Sequence, residues 1–165
     1  MDKNLFSRRS IRKYTDQPVS KEMIEDILKA GMAAPTAVND KQWMFYVVEN
    51  PELKEKLAES SPYSAFAKNA PVIIVLAYEE NEGNAPEYAQ INMALVSENL
   101  MVEAENLGLG TVMLGIAPHE ERMTAVEKIL NLPGGQRAFA MFPVGYPDQM
   151  PAVKHKTDMS RVTWL

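Results

Sequence analysis

Apolar and polar positions along this chain alternate with two periods, and the longest helical stretch runs from Tyr88 to Leu107. Wound at about 3.6 residues per turn, it puts Ile91, Ala94, Leu95, Met101 and Val102 on one face and Met93, Val96, Leu100, Ala104 and Leu107 on the opposite one. Asn92, Asn99 and Asn106 form a polar ribbon between the two, and Glu98 and Glu105 interrupt the first. Two apolar faces need two packing partners. Either the chain's own sheet and helices cover both, or one face meets a second copy of the protein, because so short a chain has little to cover both. Gly108 is placed to close the helix, and Gly110 and Gly115 flank a short strand from Thr111 to Leu114.

Around this helix the pattern predicts alternating elements. Asp2 to Phe6 suits a short opening turn. Ser20 caps a helix from Lys21 to Ala30 with Met23, Ile24, Ile27 and Leu28 inward and Gly31 as its end. Met44 to Val48 reads as a strand; Asn50 and Pro51 open a helix from Glu52 to Glu59. The unbroken apolar run Val72 to Tyr78 suits a strand buried on both faces. Pro118 starts a helix through Leu130 that buries Met123, Val126 and Ile129 or Leu130; Leu132 to Gly135 turns, and Ala138 to Val144 forms a last core strand. The end, Arg161 to Leu165, looks like a strand seeking a sheet edge, its own or a neighbour's.

Composition narrows the class. The chain has 165 residues, the size of one domain spanning 1–165, and 46% apolar residues, which suits a globular, soluble protein. A net charge of -5 argues against nucleic acid or an anionic membrane as the main partner. Without cysteine, disulfides, thiolate catalysis and zinc-cysteine sites are excluded, and a cytoplasmic location is expected.

Candidate chemistry sits in three places. In RRSIRKY, Arg8, Arg9, Arg12 and Lys13 crowd around Ser10, which reads as a solvated basic turn or as a phosphate clamp of guanidinium forks and a hydroxyl donor. In APTAVNDKQW, the polar groups of Thr36, Asn39 and Gln42 make an ordinary turn or read the edge of a planar heterocycle. The tail MPAVKHKTDMSRVTWL is basic. No dinucleotide fingerprint, phosphate loop, zinc-protease motif or serine elbow occurs, and His119 and His155 read as surface residues rather than bases. If the chain is an enzyme, a bound cofactor carries the chemistry and no side chain need be catalytic.

Taken together, the sequence resembles the flavin-dependent nitroreductase family in its shorter members. The resemblance is carried by RRSIRKY (8–14), APTAVNDKQW (34–43), APVIIVLA (70–77), AENLGLGT (104–111), FPVGYP (142–147) and KHK (154–156). It implies an α+β fold, a central mixed or antiparallel sheet flanked by helices, in an interlocked homodimer. It also implies FMN at the subunit interface, NADH or NADPH as donor, and nitroaromatics, quinones or similar small molecules as acceptors. Carried over by position, Arg8, Arg9, Ser10 and Arg12 match the flavin-binding opening, and Pro35, Thr36, Asn39 and Gln42 the loop from the second subunit. Leu114 and Gly115 match the strand beside the ring, and Lys154 and Lys156 the tail that closes on the phosphate. Thr36 stands where serine is usual, Gln42-Trp43 lacks an intervening proline, and Lys156 replaces arginine, keeping the charge but not the bidentate fork. The helical insertion that covers the pocket in larger members is expected to be missing. Two other readings remain open: a flavoprotein of this fold that uses oxygen or stores or senses FMN, and a non-catalytic dimer whose arginines bind another anion.

Overall fold

The computed structural model describes residues 3–154 and 156–165, with side chains from Leu5 onward, so Met1, Asp2 and His155 lie outside the described residues. A short helix α1 (Lys3–Ser7) leads through an extended arm to α2 (Lys21–Met32), where the Ser20 side chain accepts the Met23 N–H as expected of a cap. There follow β1 (Trp43–Val48), α3 (Pro51–Glu59) capped by Asn50, β2 (Val72–Glu79), α4 (Ala89–Asn106), β3 (Gly110–Thr111), β4 (Leu114–Gly115), α5 (Glu120–Leu130) and β5 (Gln136–Gly145). The sheet runs β1-β2-β5-β3, with β4 also on β5, and every one of these ladders is antiparallel. As its sequence implies, β2 is central, and Val72 to Tyr78 are buried throughout.

Four expectations are corrected. First, α2 does not end at Gly31. A Cβ there would stand 2.9 Å from Leu100 Cδ2 and 3.3 Å from Val96 Cγ1, so glycine is what lets α2 lie close against α4. Second, the strand expected from Thr111 to Leu114 is two short pieces. Thr111 faces Val144 and Leu114 faces Met141, one continuous register from which Val112 and Met113 drop out. Third, helix α5 begins at Glu120, with His119 in the capping position and Pro118 one residue before it. Fourth, the tail is no strand within this chain. Asp158 draws Met159–Arg161 into a 3-10 turn, and the extended residues after it join no ladder, leaving Trp164 86% exposed.

The two faces of α4 resolve differently from each other. Met93, Val96, Leu100 and Ala104 are buried in this chain, and Met101 joins them from the edge of the other stripe. Ile91 and Leu95 stay 58% and 42% exposed, so the chain does not itself cover both faces. The reason lies in the layout: α2 and the sheet occupy one side of α4, while α1 and the start of the arm reach the other only near Glu98 and Glu105, which leaves Ile91 and Leu95 open. No helix among the described residues is long and apolar enough to cross a membrane.

Candidate functional site

The site is built by the arm between α1 and α2. Ser10 bridges Thr111 of β3, and the Ile11 N–H donates to the Thr111 carbonyl at 3.1 Å. Gly110 makes this approach feasible, because a Cβ there would stand 2.7 Å from Ile11 Cβ. Further along, the Tyr14 hydroxyl donates to the Ile11 carbonyl at 2.6 Å, inside a setting whose burial pushes its pKa up. With its apolar residues pinned inward, the arm must turn its cations outward.

Those cations meet the tail. Arg8, Arg9, Ser10, Arg12, Lys154 and Lys156 all line one hollow of about 500 Å³, together with Gln149, Pro151 and Ala152. Arg9 ties the two segments together, its Nη1 donating to the Pro151 carbonyl at 2.9 Å and its Nε to the Ser7 carbonyl at 3.1 Å. Arg8 reaches Glu98 only at 3.8 Å. Among the described residues, Arg9, Arg12, Lys154 and Lys156 make no ion pair. Five cations and a hydroxyl with one weak carboxylate contact between them form the donor set that a phosphate dianion requires, so these residues fit the phosphate of FMN.

Arg12 also lines a second hollow of about 510 Å³, walled by Leu114, Gly115, Met113, Phe66, Tyr63, Ala117, His119 and Arg122. A bulge in β5 shapes this wall. Phe139 is the extra residue between Ala138 and Ala140, and its carbonyl accepts the N–H groups of Ile116 and Ala117 at 3.1 and 2.9 Å, steering the chain after Gly115. At the mouth, the Arg122 guanidinium lies 5.6 Å from the Tyr63 ring centroid, with Nη1 3.4 Å from the Gly115 carbonyl. Leu114, Gly115 and Arg12 are therefore brought together as the sequence implied. Tyr63, Phe66, Met113 and Arg122 were missed, although Tyr63 and Phe66, three residues apart in a proline-flanked segment, carried a faint signal of one shared face.

The remaining loop does not reach either hollow. Pro35, Thr36, Asn39 and Gln42 line neither. Gln42 is buried, its Nε2 donating to the Glu82 carbonyl at 2.7 Å and its Oε1 accepting from Asn92 Nδ2 at 3.1 Å; Asn92 Oδ1 in turn accepts the Ala37 N–H at 2.9 Å. Asp40, also buried, accepts the backbone N–H groups of Asn84 and Ala85 at 2.9 Å each. Those donors, Asn84 first, hold its carboxyl below the usual carboxylate range against the opposing effect of burial. Between these anchors, Val38 (φ 47) and Asn39 (φ 60) take left-handed backbone, and Val38 is 65% exposed. For a β-branched residue this conformation is strained by about 1–3 kcal/mol.

A family model described as the nitroreductase family matches residues 5–62 and 60–146. The chain belongs to the nitroreductase family. A relative from Methanothermobacter thermautotrophicus, provisionally named an NADH dehydrogenase/NAD(P)H nitroreductase, is 36% identical over 156 residues, covering 94% of this chain and 82% of its own. The crystal structure of a protein provisionally named an NADH oxidase from Clostridium acetobutylicum superposes with a TM-score of 0.93 at 37% identity and covers 97% of both chains. An FMN-dependent nitroreductase from Clostridium difficile gives a TM-score of 0.91 at 25% identity, over 98% of this chain and 96% of the other. The family match stops at residue 146, so the tail half of the cationic hollow lies beyond it.

Proposed function

We propose that this nitroreductase-family chain is an FMN-dependent oxidoreductase that passes a hydride from NADH or NADPH to nitroaromatic, quinone or similar electron-poor acceptors. The observation that carries the reading is the pair of hollows joined at Arg12, one cationic and one with an apolar and aromatic wall of Met113, Leu114, Phe66 and Tyr63 and with His119 and Arg122 also lining it. FMN has that division of character, a phosphate at one end and a flat ring at the other. When bound, it supplies hydride chemistry that no side chain here offers. Arg8, Arg9, Ser10, Lys154 and Lys156 would hold the phosphate, and Arg12, at the junction, the polar edge of the ring. Leu114, Gly115 and Met113 would seat the ring and exclude water from one side of it.

A second copy of the chain would complete the site. The open stripe of Ile91 and Leu95 and the strained, exposed Val38 support this, because each leaves apolar surface in water that a partner would bury. Pro35, Thr36 and Asn39 would then face the partner's hollow, with Gln42 acting on them by fixing the loop. A Leu95→Glu variant is expected to sediment as a monomer and to lose flavin together with mass.

The test is spectroscopic. Protein reconstituted with FMN should keep a flavin spectrum through gel filtration, bleach anaerobically on adding NADH or NADPH, and recover its colour on adding a nitroaromatic or quinone. Failure to retain flavin would favour the non-catalytic anion-binding dimer; retention without bleaching would favour a flavoprotein that stores or senses FMN.

A further inference from the structure

The largest of the three hollows around Arg12, about 700 Å³, shares Arg12 and no other residue with those assigned to FMN. Arg12, Lys13, Lys54 and Lys68 contribute cations to it, against Asp16 and Asp148. Lys68 is paired with Glu55 at 3.1 Å, whereas Arg12, Lys13 and Lys54 make no ion pair among the described residues. Of the charged groups lining it Lys54 alone is half-buried, whereas Arg12, Lys13, Lys68 and both aspartates are exposed, so the deepest charge in the hollow is a cation. Among the described residues Lys54 donates to the carbonyls of Ala70 and Pro71, at 2.8 and 3.1 Å, and to no carboxylate, Glu49 acting on it from beyond ion-pair distance, so one of its three N–H groups has no acceptor there. A half-desolvated ammonium held by neutral oxygens gains most from an incoming anion.

This hollow has firm walls. The Asp148 N–H donates to the Lys13 carbonyl and the Thr15 N–H to the Tyr146 carbonyl, both at 3.0 Å, which stitches the arm to the segment after β5. It also adjoins the ring hollow twice. Arg12 lines both, and the 3-10 segment Ala65–Asn69 sends Phe66 into one and Lys68 and Asn69 into the other. A nicotinamide brought over the ring would lead its dinucleotide chain toward these cations, away from the cradle for the FMN phosphate.

We propose that this basic hollow receives the 2′-phosphate of the dinucleotide donor, so that the enzyme prefers NADPH to NADH. The inference rests on the flavin reading, and the titrations are run on FMN-loaded protein so that failure to load flavin and failure to discriminate NADP⁺ are read separately. Titration calorimetry with NADP⁺ and NAD⁺, neither of which reacts with oxidised flavin, isolates the 2′-phosphate. In low salt the FMN-loaded protein should bind NADP⁺ at least about tenfold more tightly, since a charged hydrogen bond contributes on the order of a decade in affinity or more. Lys54→Gln and Lys13→Gln should each shrink that ratio to about threefold or less while flavin absorbance stays unchanged. Michaelis constants for NADPH, but not NADH, should rise in step. Lys13 is exposed and makes no ion pair among the described residues, so its variant keeps the test valid even if Lys54→Gln fails to fold. Equal binding of NADP⁺ and NAD⁺ by flavin-loaded protein, or a ratio untouched by Lys13→Gln, overturns this proposal and leaves the flavin reading standing. A protein that never loads flavin overturns the flavin reading itself, and this proposal with it.

Discussion

Two groups of arginine in this molecule face opposite electrostatic situations. Arg137 on β5 gives Nε to Glu127 at 2.9 Å, Nη1 to Glu80 at 3.0 Å and Nη2 to Glu120 at 2.5 Å. Its pKa is driven further up, chiefly by the Glu127 hydrogen bond. Arg9 and Arg12 on the N-terminal arm make no ion pair among the described residues, and Arg8 makes one at 3.8 Å. The first arginine is complete within the chain and serves the fold, fastening α5 to the sheet. The others are complete only when something anionic arrives. What marks a binding site is thus a cation's lack of partners, more than its presence.

The largest effect that would sharpen this contrast is on stability. Arg137 and Glu127 have side chains only 20% and 21% exposed, and Glu127 Oε1 also accepts the Ala138 N–H at 3.1 Å. Arg137→Leu should therefore cost about 2–3 kcal/mol, since it leaves three carboxylates facing one another without their cation. Urea unfolding would measure it, and FMN affinity should stay within about twofold of wild type. A variant of wild-type stability that bound FMN poorly would collapse the distinction.

The mirror experiment acts on the arm. Arg8→Ala or Arg12→Ala should lose about 1.5–3 kcal/mol of charged hydrogen bonding to FMN, roughly one to two decades in affinity. Stability of the flavin-free protein should hardly move, within about 0.5 kcal/mol, because no strong internal partner is lost. Unchanged FMN titrations in both variants would return the arm to a solvated turn.

How much of this was legible in the sequence follows the same logic. The caps at Ser20 and Asn50 and the buried strand Val72 to Tyr78 were readable because local residue chemistry decides them. Gly31 was misread because a helix-ending glycine and a glycine at a close helix crossing look alike until Leu100 and Val96 are placed beside it. Clustered charge in an acidic chain singled out the arm and left a solvated turn and a phosphate clamp both open; the family resemblance is what pointed the arm and tail toward a phosphate. Arg122 could not, since on its own helix it is one more surface residue, and only folding carries it to Tyr63 and the Gly115 carbonyl. Gln42 was read as a cofactor-binding group of the loop from the second subunit, whereas within this chain its amide is engaged by the Glu82 carbonyl and Asn92.

Asp40 tests whether that loop is held from inside the chain. Its native pKa is depressed by the N–H groups of Asn84 and Ala85, so its contribution is present above the ordinary carboxylate value near 4 and is lost as pH falls through the lower native one. Urea midpoints measured from about pH 5 down to about pH 3 should fall more steeply for wild type than for Asp40→Asn. Parallel profiles would mean that Asp40 does not anchor the loop.

The smallest expected effect is at His119, the one histidine among the described residues. It lines the ring hollow, where an imidazole invites assignment as the proton donor to a reduced acceptor. A general acid works through held geometry, however, and this side chain is exposed and caps no backbone N–H of α5. His119→Gln should therefore leave both anaerobic flavin reduction and its reoxidation by a nitroaromatic within a few-fold of wild type. A positioned acid is worth about a hundredfold or more, so the two readings are well separated. Stopped-flow rates at several pH values decide between them. A drop of two decades confined to reoxidation would make His119 the acid and would show that this site owes part of its chemistry to a side chain after all.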